Sequence, residues 1–140
     1  MEKKIWEKPV RMPFTEKEKT MRKILIIDDK EGIRTLIREM LKGEGYVVED
    51  TNNGWEALGW IRREDYALIL LDVKLPGLNG VDMVKAMQDE GITTGVIIVT
   101  AYEEHNTNTD LKNLEIVASF SKPFDIQEVL KKVNQYMDGA

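Results

Sequence analysis

Short, unbroken apolar runs alternate along this chain with longer stretches in which apolar residues return at helical spacing. "KILIID" (23–28) is the first run. Behind it Ile33, Leu36, Ile37, Met40 and Leu41 share one helical face, and "GEG" at 43–45 stops that helix. "YVVED" (46–50) reads as a mixed strand. "NGWEALGWIRR" (53–63) reads as a helix capped by Asn53, with Glu56 completing a capping-box-like pair. "YALILLD" (66–72) is a second continuous apolar run, and "LPGLNG" (75–80) is a turn punctuated by Pro and Gly. Asn79 can cap the helix that carries Val84 and Met87. "GVIIVTA" (95–101) is a third run and "EIVASF" (115–120) a weaker strand. The last helix is the best marked. Asp125 caps it, Glu128 takes its third position, Phe124 can staple onto Val129, and Ile126, Val129, Leu130, Val133 and Met137 form its stripe. "EEHNTNTDLKNL" (103–114) is polar and predicts a short or mobile helix.

Five strand–helix pairs in this order predict an α/β fold, a parallel sheet with helices on both faces. The fully apolar runs suit central strands and the mixed "YVVED" an edge. The length of 140 residues suits a single domain. Residues 1–21, rich in Lys and Glu with two prolines, predict a flexible N-terminal extension, and Met21 is a possible natural start. Trp6 and Phe14 within it could dock on a partner.

Composition narrows the chemistry. With no cysteine, thiol nucleophiles, disulfides and zinc–cysteine sites are excluded, which suits a reducing cytoplasm. The single histidine, His105, cannot build a histidine metal site and reads as a solvated loop residue. A net charge of −5 argues against nucleic acid as a direct partner. No run approaches the ~18–20 apolar residues of a membrane span, and the N-terminus lacks a signal peptide's apolar centre.

In open parallel α/β sheets, ligands bind beyond the carboxyl ends of the strands. The first strand ends on Asp28 and Asp29, the third on Asp72, the fourth on Thr100, and the fifth on Ser121-Lys122-Pro123. One crevice therefore gathers three carboxylates, a hydroxyl and an ammonium. The carboxylates would repel one another without a cation. A few hard oxygen ligands with open positions favour Mg²⁺. A cation beside Lys122 and Thr100 makes a site for a phosphoryl group, and one carboxylate could be its nucleophile.

"IIDD", "LILLDVKLPGLNG", "IIVTAY" and "SKPFD", in this order over residues 22–138, resemble the signature blocks of bacterial response-regulator receiver domains. "TAY" and "KPFDIQEV" are most similar to stand-alone sporulation phosphorelay receivers. The resemblance implies a flavodoxin-like, doubly wound, five-stranded sheet of order 2-1-3-4-5 with five helices, forming one domain; with three residues after Met137, no output domain is expected. It implies that Asp72 is the phosphoacceptor, and that Asp28, Asp29, Asp72 and the backbone carbonyl of Lys74 hold Mg²⁺. Thr100 is then the switch hydroxyl and Lys122 the phosphate-pairing lysine, behind a cis Lys122–Pro123 bond. Lys74 and Tyr102 would tune the lifetime of the phosphoryl group. The implied partners are a sensor histidine kinase or histidine phosphotransferase and a downstream protein target, with no DNA or membrane contact, for a monomer or weak dimer. The chain departs from the family pattern in two places. Ser119 stands where an aromatic switch residue is usual, with Phe120 beside it, and Glu115-Ile116 replaces a Gly-Ala pair. Trp55 and Trp60 are candidates for a partner surface or the core.

Rival readings use the same acids. A Mg²⁺-dependent aspartyl-phosphate phosphohydrolase needs a second acid two residues after its nucleophile, and Lys74 stands there. A receiver-like adaptor would signal without phosphorylation. A nucleotide binder lacks support, because "DDKEG" replaces a glycine-rich phosphate loop after the first strand.

Overall fold

The computed structural model describes residues 22–101 and 114–139. The elements are β1 (Lys23–Ile27), α1 (Glu31–Gly43), β2 (Val47–Thr51), α2 (Gly54–Arg63), β3 (Tyr66–Leu71), α3 (Gly80–Asp89), β4 (Gly95–Ala101), β5 (Ala118–Lys122) and α4 (Ile126–Met137). The helix expected over 103–114 falls almost wholly outside the described residues, as do the extension, Tyr102 and His105. All neighbouring strands are parallel, in the order β2-β1-β3-β4-β5.

Alternation along the strands divides the core into two. Leu25 and Ile27 face one side with Ile69, Leu71 and Ile98, under α2 and α3. Ile24 and Ile26 face the other with Leu68, Leu70, Ile97 and Val99, under α1 and α4. The central strands are apolar through their middles because both faces are covered, with polar residues such as Lys23 and Thr100 only towards their ends. In α1, Ile37 and Leu41 are buried, but Leu36 is 45% exposed, so the buried stripe is narrower than its periodicity suggests.

The caps follow the side chains expected, with one change. Asn53 accepts from the amide of Glu56 at 3.0 Å. The Glu56 carboxylate does not return to Asn53, because the buried hydroxyl of Thr51 claims it. Thr51 Oγ1 in turn accepts from the Asn53 amide at 3.2 Å, so the box closes through Thr51. Asn79 accepts from Val81 N and Asp125 from Gln127 N.

The last strand begins later than its apolar pattern indicates. Leu114 and Ile116 are apolar because they pack against the α2/α3 side of the core; the first bond to β4 runs from Val117 N to Val96 O at 2.8 Å, and paired residues begin with Ala118 opposite Ile97. Pairing runs on to Lys122 opposite Ala101, where the cis Lys122–Pro123 bond ends it. Phe120 packs on the α1/α4 face with Val99. Thr100 is the next residue along β4 and belongs to the opposite face from Phe120.

At the amino-terminal rim, Tyr66 Oη donates to Glu49 at 2.6 Å, and Lys23 pairs with both Glu49 and Glu64. Burial, then the hydrogen bond to Glu49, pushes the Tyr66 phenol well above its ordinary range. A phenol with a raised folded pKa stabilises fully below the unfolded value of about 10, and that contribution is lost as pH rises beyond it. Tyr66→Phe is therefore expected to flatten the fall in stability above about pH 10, measured by denaturant unfolding across that range.

Candidate functional site

The carboxyl ends of β1, β3, β4 and β5 converge on one acidic cleft. The strand ladder continues past β1 and β3: Asp72 N donates to Ile27 O at 2.8 Å, and Asp28 N to Thr51 O at 3.2 Å. These bonds set Asp72 directly beside Asp28. Carboxylate oxygens of Asp28, Asp29 and Asp72 lie within 4.8 Å of one another. Asp28 and Asp72 are buried, whereas Asp29 is exposed.

Lys122 bridges the two buried acids, with Nζ 2.9 Å from Asp28 Oδ2 and 3.0 Å from Asp72 Oδ2. Thr100, fully buried at the end of β4, donates through Oγ1 to Asp72 Oδ1 at 2.8 Å. The amide of Lys74 donates to the same oxygen at 3.1 Å. Asp72 is thus held in one orientation, with one oxygen fixed by two neutral donors and the other by an ammonium. Asp28 is held by Lys122 and by the amide of Lys30 at 2.9 Å.

Burial pushes the Asp28 carboxyl above its usual range, and the charge of Asp72 adds to this. The bonds from Lys122 and the Lys30 amide oppose the rise without cancelling it. Burial works to lower the Lys122 ammonium, but its bonds to Asp28 and Asp72 prevail and hold it above its ordinary value. Three carboxylates face one bridging ammonium, and the exposed Lys30 Nζ lies 3.8 Å from Asp29, so negative charge remains in excess. This excess, carried by hard oxygens with one exposed member, fits a divalent cation such as Mg²⁺.

A cleft of about 390 Å³ opens over the cluster, lined by Asp29, Lys30, Asp72, Lys74 and Lys122. A larger cavity of about 770 Å³ lies beside the start of β4 and holds no such acidic cluster. The cleft's floor depends on Gly80, the first residue of α3. A Cβ there would lie 2.8 Å from Val73 Cα and 3.0 Å from Asp72 O, both backbone atoms. Gly80→Ala must therefore displace the chain that carries Asp72, and is expected to cost about 1–3 kcal/mol, read from denaturant unfolding. Trp55 lies across Gly77 of the same loop and is 60% exposed, while Trp60 is partly buried against the core.

The structure brings together all the side chains expected at the site: Asp28, Asp29, Asp72, Thr100 and Lys122. Sequence reasoning missed Arg34. Its Nη1 donates to the carbonyl oxygen of Asp28 at 2.8 Å, and its Nε to Asp50 Oδ1 at 3.0 Å. A polar helix position gives no sign of such a contact.

A five-stranded parallel sheet of this order, with an acid–lysine–threonine cleft at its carboxyl end, defines a receiver domain. The chain belongs to the response regulator receiver domain family, which it matches over residues 24–134. Among curated relatives, it is 43% identical over 117 residues to sporulation initiation phosphotransferase F of Bacillus subtilis (strain 168). That match covers 82% of this chain and 93% of the relative. It is 35% identical over 122 residues to the transcriptional regulatory protein PcoR of Escherichia coli, covering 86% of this chain but 53% of the relative. The chain therefore spans nearly all of the sporulation protein and about half of the transcriptional regulator.

Solved structures agree. The CheY-like response regulator receiver domain protein of Methanospirillum hungatei JF-1 superposes with a TM-score of 0.75 at 28% identity, over 83% of this chain and 93% of that one. The response regulator protein TrrA of Thermotoga maritima, in complex with Mg(2+)-BeF, gives a TM-score of 0.73 at 29% identity, over 83% and 99%. Among the described residues, no helix is long and apolar enough to cross a membrane.

Proposed function

We propose that Asp72 accepts a phosphoryl group from the phosphohistidine of a sensor histidine kinase or a histidine phosphotransferase. The signal then passes by protein contact or by onward transfer to another histidine. The observation that carries this reading is the bridging of Asp28 and Asp72 by Lys122 within a cluster of three carboxylates. The likeness to sporulation initiation phosphotransferase F supports a phosphotransfer role.

Asp28, Asp29, Asp72 and the backbone carbonyl of Lys74 are the groups that would hold Mg²⁺. Bound there, the ion supplies positive charge against the oxygens of the phosphoryl group. An oxygen of Asp72 attacks phosphorus while the P–N bond of the donor breaks, and the electron pair of that bond returns to the imidazole nitrogen. Lys122, released from Asp72, pairs with the new phosphoryl oxygens. Thr100, which donates to Asp72 Oδ1, is within reach of the same group. Movement of these two side chains couples the modification to the rim of β4 and β5.

The phosphohydrolase reading is weaker. It needs a carboxylic acid two residues beyond the nucleophile, and an exposed lysine, Lys74, stands there instead.

Borohydride reduction after reaction with acetyl phosphate, followed by peptide mass mapping, tests the assignment. An acyl phosphate at residue 72 is expected to appear as homoserine there. Conversion at residue 28 or 29 instead would overturn the choice of Asp72.

A further inference from the structure

Asp29 is the exposed acid of the cluster, and its carboxylate has little to hold it. Lys30 Nζ stands 3.8 Å away and is itself largely exposed, too distant for a hydrogen bond. Where Asp29 points therefore depends on the backbone that carries it. The peptide joining Asp28 to Asp29 has its oxygen bonded to Arg34 Nη1 at 2.8 Å. Arg34 is only 15% exposed, and its Nε is anchored on Asp50 of β2 at 3.0 Å. Arg38, one turn further along α1, holds the other Asp50 oxygen at 2.8 Å. A planar, forked side chain thus links β2 to the peptide plane that leads into Asp29.

We propose that Arg34 is a positioning residue for the divalent-cation site, acting through the Asp28 carbonyl to set Asp29. The inference rests on the reading of Asp28 and Asp29 as Mg²⁺ ligands.

Charge and positioning predict opposite signs here. Removing a cation from beside three carboxylates should tighten Mg²⁺ binding if Arg34 acts only as a charge. Removing the clamp should weaken it, because groups that orient metal ligands are typically worth 10–100-fold in affinity. Arg38 supplies the internal control, since it shares Asp50 and carries the same charge but does not touch Asp28.

The experiment is calorimetric titration of the full chain with Mg²⁺ at fixed ionic strength, for wild type, Arg34→Gln, Arg34→Lys and Arg38→Gln. Thermal unfolding of each variant without Mg²⁺ is measured alongside. Arg34→Gln is expected to weaken binding by about tenfold. Arg34→Lys is expected to weaken it by severalfold at unchanged charge, because an ammonium cannot reproduce the fork. Arg38→Gln should bind as tightly as wild type or tighter, even where its stability falls. Should Arg34→Gln fail to fold, Arg34→Lys decides alone. Equal or tighter binding by the folded Arg34 variants overturns the inference, as does equal weakening in Arg38→Gln. No Mg²⁺ binding by wild type overturns the ligand reading itself, which is a separate failure.

Discussion

Lys122→Met is expected to lower stability by about 3 kcal/mol near neutral pH and to prevent stable phosphorylation. The methionine fills most of the lysine's volume, so packing is nearly preserved and the loss is electrostatic. Without Lys122, the carboxylates of Asp28 and Asp72, only 4% and 6% exposed, face each other with no cation between them. Removing one partner of a buried pair costs more than the pair contributes, because the remaining charge stays desolvated. For a domain of this size the melting temperature should fall by roughly 10 °C. Mg²⁺ at millimolar concentration should restore part of this, since it returns positive charge to the same oxygens and binds only the folded chain. Calorimetric melting with and without Mg²⁺ measures both effects. A melting temperature equal to wild type in the absence of Mg²⁺ would mean that Lys122 is not the counter-ion of the buried acids.

Asp72→Asn is expected to abolish phosphorylation while changing stability by less than about 1 kcal/mol. Asparagine keeps an oxygen that can accept from Thr100 Oγ1 and Lys74 N, so those two bonds survive, while its NH2 in place of Oδ2 ends the bond from Lys122. It removes the nucleophilic carboxylate and one charge of the cluster, which leaves Lys122 paired with Asp28 alone. Mg²⁺ affinity should fall, because one of three acidic ligands is gone. Mass spectrometry after incubation with a phosphodonor and a Mg²⁺ titration check the two parts. A phosphorylated Asp72→Asn protein would place the acceptor on another residue.

Much of this site could be read from the chain, because the topology rule converts strand ends into neighbours. Asp28, Asp29, Asp72, Thr100 and Lys122 each terminate or adjoin an apolar run, so placing the strands placed the residues. Other features gave no such signal. Arg34 occupies a polar helix position, and its bond to the Asp28 carbonyl depends on how α1 leaves β1. The apolar pattern places the start of β5 too early because Ile116 is apolar for packing against the other core face, not for ladder pairing. Leu36 obeys helical periodicity yet is 45% exposed, since periodicity gives the centre of a stripe better than its width. Gly80 reads as a turn glycine, but the limit on its size is set by the backbone of Asp72 and Val73.

The central claim is Mg²⁺-dependent phosphorylation of one aspartate, and the intact mass of the protein after incubation with acetyl phosphate tests it most directly. The account predicts a single added phosphoryl group in wild type with Mg²⁺, none when the ion is chelated, and none in Asp72→Asn. No adduct in wild type, with Mg²⁺ binding shown separately, would contradict it and leave a receiver fold that signals without phosphorylation.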